Sequence, residues 1–342
     1  MLPANTSITS SRRIGGLTTR AQEGQISGCR AIVLKLLKIS KRNLTHLELR
    51  RGTLSIYREL AGRIFGERFT GSVDLDDFVL VAATESDKGR VRDHNEDSVV
   101  YQDPPSPIVR RRRGVLAVLA DGMGGHAAGE IASRLACETV STEYFKASGA
   151  VDDALHQAIK DANRRIYRAA RKNAAEQGMG TTCVALAIAR REAHYAWVGD
   201  SRLYLIRGAC VYRLTEDHTT VNELVRDGLL AGSEAASHPD KGVLSRALGT
   251  REHIEVATAP QPMPVRAEDR FVLCSDGLHD VLSDEDILSL CSNVDETTAA
   301  RSMVALANEK GAPDNVSVVV VSVAAPNKSE GRTSPTRQTR GV

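Results

Sequence analysis

The chain has 342 residues, 42% of them hydrophobic, and a formal net charge of +2. That length holds one large domain or two small ones with a sizeable core. No apolar stretch reaches the ~20 residues of a membrane span, no signal peptide is evident, and none of the six cysteines forms a C-x-x-C pair. Buried free thiols in a reducing compartment are therefore expected, rather than a disulfide framework or a zinc site. The near-neutral total hides an asymmetry: residues 1–75 carry 13 Lys+Arg against 5 Asp+Glu, a net of +8, and the rest carries −6.

In chain order, residues 1–30 are rich in Ser, Thr, Gly and Arg and read as a disordered leader. Ile32–Lys38, and Leu54 to Phe65 at helical spacing, predict short amphipathic turns that pack on the body. The body is expected to begin near Phe78, with strands over 78–84 and 98–101 joined by a polar connection. Pro104–Arg113 reads as a loop rich in Pro and Arg, with Arg110–Arg113 as a solvated tip. Val115–Ala120 has the length and β-branched content of a strand buried on both faces. It runs straight into Asp121-Gly122-Met123-Gly124-Gly125-His126.

Two helices follow, over about 127–147 and 151–176, the second with an apolar stripe through Ala154, Leu155, Ala158, Ile159, Ala162 and Ile166. Strands are predicted over 183–189 and 193–198, then a hairpin of 203–207 with 211–214. Residues 216–245 read as a polar, short-helical insertion. A strand over 270–274, helices over 284–291 and 296–309, and a last strand over 316–323 complete the body. The tail after Pro326 is polar and expected to be disordered.

One feature recurs. Asp121, Asp200 and Asp276 each follow an apolar strand and sit beside a glycine, while Glu96-Asp97 and Asp314 directly precede strands. Antiparallel neighbours enter and leave at one edge, so a last residue of one strand meets the first of the next. Five or six carboxylates gathered there repel unless something neutralises them. An ionised Asp at the end of a buried strand needs a partner or a metal, and glycines beside it let backbone carbonyls approach a ligand. Oxygen donors without a His/Cys set suit Mg²⁺ or Mn²⁺. Each piece alone has an ordinary reading: Asp-Gly is a turn, Arg92 a surface arginine, His126 a helix-start residue. Their joint occurrence in this order points to a site.

The ordered set Arg92-x-x-Asn95-Glu96-Asp97, Asp121-Gly122-Met123-Gly124-Gly125-His126, Gly180-Thr181-Thr182, Gly199-Asp200-Ser201-Arg202, Leu244–Gly249, Ser275-Asp276-Gly277-Leu278 and Asp314-Asn315 resembles the type 2C, metal-dependent protein serine/threonine phosphatases, in their bacterial form. The resemblance covers Phe78 to Val323; Ser86-Asp87 departs from the family's usual Thr-Asp without touching a catalytic position. It implies an α+β fold, an αββα sandwich of two antiparallel sheets flanked by helices. The catalytic domain would span 78–325 with a flap at about 216–245, between a basic extension at 1–77 and a tail at 326–342.

The same resemblance implies an enzyme that hydrolyses phospho-Ser and phospho-Thr by direct attack of a water activated by two Mn²⁺ or Mg²⁺ ions. Asp121 would bridge both metals, the Gly122 carbonyl and Glu96 would serve the first, and Asp276 and Asp314 the second. Asp200 with Asp276 would form a weaker third site. Asp97 would orient the water, Arg92 would grip the phosphate, and His126 would be the candidate acid for the leaving group. The implied partners are phosphorylated proteins and a Ser/Thr kinase in signalling, for a monomeric, cytoplasmic protein. No nucleic-acid partner is expected, since the body is mildly acidic and poor in aromatics. A binding-only pseudo-phosphatase and a two-metal phosphodiesterase are the competing readings. The full carboxylate set argues against the first, and the charge balance against the second.

Overall fold

The structure, a computed structural model, describes residues 78–124, 127–173 and 176–325. The expected extension 1–77, the tail 326–342 and His126 therefore lie outside the described residues. The described residues all fall within one compact unit of the chain, Gly62–Val342.

Twelve strands are described: β1 (Val79–Asp87), β2 (Asp97–Gln102), β3 (Val115–Met123), β4 (Gly180–Thr181), β5 (Cys183–Ala189), β6 (Glu192–Val198), β7 (Arg202–Arg207), β8 (Cys210–Arg213), β9 (Ala257–Thr258), β10 (Met263–Pro264), β11 (Arg270–Cys274) and β12 (Val316–Ala324). The α-helices are α1 (Pro107–Arg113), α2 (Ala127–Lys146), α3 (Val151–Lys172), α4 (Thr220–Arg226), α5 (Asp276–His279), α6 (Asp284–Leu290) and α7 (Glu296–Glu309). One sheet has the order β1-β12-β11-β7-β8, the other β10-β6-β5-β3-β2 with β4 on β3 and β9 on β6. Every pairing is antiparallel.

The continuous apolar runs of β3 and β12 follow from burial on both faces. Along β3, Val115, Ala117 and Leu119 pack between the sheets, whereas Leu116, Val118 and Ala120 pack beneath α2 and α3. Along β12, Val319, Val321 and Val323 face the other sheet, and Val316, Val318 and Val320 face α5, α6 and α7. Side chains alternate across a strand, so a central strand of a four-layer αββα stack has no polar face to offer. Each fully buried Leu or Val there contributes ~1.5–3 kcal/mol. The expected sandwich is what the chain forms.

Two local expectations are overturned. Pro107–Arg113 is a helix, not a loop, with proline at its first turn where no N–H is needed. Arg113 is fully buried, not a solvated tip. Its guanidinium donates to the Ala147 and Ala150 carbonyls at 2.6 and 3.2 Å, beyond the end of α2, and the Tyr144 hydroxyl donates to its own carbonyl at 2.5 Å. A run of four arginines looks solvated in sequence, and only the fold supplies carbonyls that need a buried donor.

Candidate active site

The strand ends meet as the alternation of carboxylates and strands predicts. Asp97 and Asp121 are register partners at the start of β2 and the end of β3. At the corresponding end of the other sheet, Asp87 at the end of β1 pairs with Val316 at the start of β12, and Cys274 at the end of β11 pairs with Arg202 at the start of β7. Asp200 leads into β7, Asp276 follows β11 and Asp314 precedes β12. One edge of the sandwich thus collects the residues that the strand boundaries deliver to it.

Asp121 is clamped by backbone. Its N–H donates to Thr182 Oγ1 at 2.9 Å, and its carbonyl accepts from the Thr181 hydroxyl and the Thr182 N–H, both at 2.8 Å. The Thr182 hydroxyl is held in turn by Ser201 Oγ at 2.7 Å. Gly122 must be glycine: a Cβ there would lie 2.3 Å from the Gly129 carbonyl oxygen and 2.4 Å from that of Glu96. A Cβ on Gly129 would fall 1.9 Å from Glu96 Oε2, so that carboxylate is seated over bare backbone.

Asn315 ties the loops together. Its Oδ1 accepts from the Glu96 N–H at 2.8 Å, and its Nδ2 donates to the Lys88 and His94 carbonyls at 2.9 and 2.8 Å. Ser275 Oγ donates to Asp97 Oδ2 at 2.9 Å and accepts from the Ser317 N–H at 2.9 Å. His279 Nε2 donates to the Asp200 carbonyl at 3.1 Å. Ser275, Thr182 and Asn315 carry positioning roles that the sequence left unassigned, although each stands inside one of the motifs that carry the resemblance.

The electrostatics record crowding. Burial, and then the charges of Asp97, Asp276, Asp200 and Asp314, hold the Asp121 carboxyl well above the ordinary range. Burial lifts Asp97 to about 7, although Ser317 and Ser275 hydrogen bonds favour its charged form. Asp200 rises to about 7 through burial and then Asp276. Asp276 is raised by burial and then by the charge of Asp314. Such a cluster calls for cations.

The donor set fits hard divalent ions. Asp97 Oδ1 and Asp276 Oδ1 are buried with no hydrogen-bond partner among the described residues. Among those residues no three His, Cys, Asp or Glu side chains close into a ready-made cage. Carboxylate oxygens of this kind suit Mg²⁺ or Mn²⁺. Arg92, half exposed, donates from Nη2 to Asp314 Oδ2 at 2.6 Å, so the arginine expected to hold phosphate sits at the same edge. Burial opposes its charge, but Asp314 outweighs that and raises its pKa.

The start of the segment 216–245 is anchored to the body. Trp197 Nε1 donates to the Glu216 carbonyl at 2.7 Å, and Asp217 accepts from Arg202 at 2.8 and 3.1 Å and pairs with Arg213. His218 Nδ1 accepts from the Gly199 N–H at 3.1 Å, and its ring stacks on Trp197. α4 and a 3₁₀ turn at Ala235–Ser237 lie within the loop closed by the bridge of Thr219 to Leu244.

Residues 90–310 match the family described as Protein phosphatase 2C. The chain is 36% identical over 250 residues to the serine/threonine phosphatase Stp of Listeria welshimeri, an alignment covering 70% of this chain and 94% of that protein. The crystal structure of the Mycobacterium tuberculosis serine/threonine phosphatase PstP/Ppp superposes with a TM-score of 0.63 at 37% identity, covering 72% of this chain and 99% of that one. A PstP catalytic domain in complex with two manganese ions superposes with a TM-score of 0.62 at 36% identity, again over 72% and 99%.

Proposed function

The chain belongs to the protein phosphatase 2C family, and from that membership we propose that it is a metal-dependent protein serine/threonine phosphatase acting at the Asp121 edge of the sandwich. The observation that carries the reading is the burial of Asp97, Asp121, Asp200 and Asp276 close to one another and to Asp314, which raises the pKa of the first four, with two buried carboxylate oxygens unpartnered among the described residues.

Asp121 with the Gly122 carbonyl, Glu96, Asp276 and Asp314 would hold two Mn²⁺ or Mg²⁺ ions, and Asp200 a weaker third. Bound there, the ions supply a water nucleophilic at neutral pH and neutralise charge on the phosphoryl group. Asp97, fixed by Ser275, orients the attacking water and takes up its proton at Oδ1. Arg92 carries a planar fork suited to two phosphoryl oxygens. Transition-state charge is thus met by donors already in place, which is the largest share of catalysis in phosphoryl transfer. The leaving alkoxide requires a proton, for which His126 remains the proposed donor.

A thiol nucleophile has no support among the described residues. Burial pushes the Cys183 and Cys274 thiols up to about 12 and Cys291 to about 11, far from a reactive thiolate. The substrates are phosphorylated proteins, and the enzyme works as a monomer opposite a Ser/Thr kinase. The free, mostly buried cysteines among the described residues suit the reducing cytoplasm. No described helix is long and apolar enough to cross a membrane.

The decisive experiment offers the purified chain phosphoserine, phosphothreonine and phosphotyrosine peptides with Mn²⁺ or Mg²⁺, and again with EDTA. Hydrolysis of the first two, abolished by EDTA, is the expected result. Full activity in EDTA, or none with either ion, would sink the assignment.

A further inference from the structure

At the end of β3 opposite Asp121 lies a half-open cleft of about 490 Å³. Its floor is apolar, formed by Phe78, Leu80, Val115 and Ile188, and its rim carries Arg110, Arg111, Arg190 and Arg191. Val115 and Ile188 are register partners of β3 and β5, and Gly114 lets those strands approach, since a Cβ there would meet the Ile188 carbonyl oxygen at 1.8 Å. The six residue steps from Val115 to Asp121 put the cleft about 20 Å from the carboxylates, so it is no part of the phosphatase site.

Three observations mark it as built to bind. First, the charge is unbalanced. Asp103 takes Arg110 at 2.8 Å, but Arg111 and Arg190 have no acidic partner among the described residues. Second, Arg190 and Arg191 form the two-residue turn between β5 and β6, with φ of 51° and 62°. A type I′ hairpin turn of this kind favours Asn-Gly; two arginines in left-handed backbone oppose local preference and bring both guanidinium groups to the rim. Third, the Arg191 guanidinium lies 4.2 Å from the Phe78 ring centroid, so a cation is held against an aromatic ring that lines the cleft.

We propose that this cleft binds a small phosphorylated molecule with an apolar or aromatic body, of the nucleoside monophosphate class: the body rests on the Phe78 and Ile188 floor and the phosphate lies between Arg111 and Arg190. The volume is that of a small-molecule site, and guanidinium forks match phosphate oxygens. An extended peptide bound at the carboxylates would not place its phosphate here as well, because the strands themselves separate the two ends.

The test is calorimetric titration of the full chain with adenosine 5′-monophosphate in EDTA, with adenosine and inorganic phosphate as separate arms. One molecule of the monophosphate binds per chain, and each fragment binds about tenfold or more weakly. Arg190→Gly weakens binding by about tenfold or more, yet its thermal midpoint holds or rises because glycine suits φ of 51°. Arg92→Ala leaves binding unchanged. Four results would overturn the proposal: no saturable binding; loss of binding in Arg92→Ala but not in Arg190→Gly; inorganic phosphate binding as tightly as the nucleotide; or binding that emerges only after Asp74, Asp76 and Asp77 are replaced by asparagine, which would mean that the chain's own acidic stretch takes the arginines.

Discussion

Asp97 and Asp121 face each other across β2 and β3 as register partners, and both carboxyls are pushed toward their protonated forms. Two acidic residues in that relation weaken a sheet that gains nothing else from them. The arrangement makes sense as stored repulsion that divalent cations relieve, so stability and activity respond in opposite directions when a charge is removed.

Asp121→Asn tests this directly. Turnover on a phosphoserine peptide with Mn²⁺ falls by about 100-fold or more, some 3 kcal/mol of transition-state stabilisation. The thermal midpoint of the EDTA-treated protein rises, because a buried charge among like charges is gone. Retained turnover would refute the role of Asp121; a lowered midpoint without metal would refute the repulsion.

The pH dependence of the metal-free fold has a definite sign. The folded-state pKa of Asp200 is raised to about 7, against about 3.9 unfolded. A raised acid binds protons more tightly in the folded state, so its stabilising contribution is complete below the unfolded value and disappears as pH climbs through about 7. In EDTA the midpoint of wild type relative to Asp200→Asn should therefore decline from about pH 5 to pH 8. Mn²⁺ should recover much of the loss at the upper end. A wild-type midpoint that rises relative to Asp200→Asn as pH climbs would contradict the assignment.

Arg92→Ala removes the fork that lies beside Asp314. The Michaelis constant for a phosphopeptide increases by about tenfold, with a smaller change in kcat, because a charge-assisted phosphate contact is lost. Steady-state kinetics at saturating Mn²⁺ measure it, and an unaltered Michaelis constant excludes the role.

Ser275→Ala deprives Asp97 Oδ2 of its donor and the Ser317 N–H of its acceptor. The fold loses about 1–3 kcal/mol in denaturant titration. Activity declines by about 10–100-fold, the usual effect of removing a partner that orients a metal-site carboxylate. Ser275→Thr keeps the hydroxyl and should recover part of both losses; unaltered activity in Ser275→Ala would mean that Asp97 is positioned by other groups.

Much of this was legible from local pattern. The ends of α7 coincide with the predicted 296–309, and β5 with 183–189, because Asp295 caps the helix with a hydrogen bond to the Thr298 N–H and Arg190-Arg191 ends the strand. The carboxylates could be named because strand ends are visible as abrupt changes from apolar to acidic residues. Helix α1 and the burial of Arg113 were not legible, since nothing near them in the chain shows the Ala147 and Ala150 carbonyls that accept from the guanidinium. Nor could the joining of Lys88, His94 and Glu96 through one side chain, Asn315, be read from an Asp-Asn pair.

The sequence by itself determined where most strands and helices lie and which residues bear charge, because hydrophobic period and turn chemistry act over a few neighbours. Only the tertiary structure decided which charges crowd together and which donors hold them. Coulomb energy and hydrogen bonding depend on distance and burial, and antiparallel pairing brings Asp97 beside Asp121 and Ser275 beside Asp97 across 178 residues of chain.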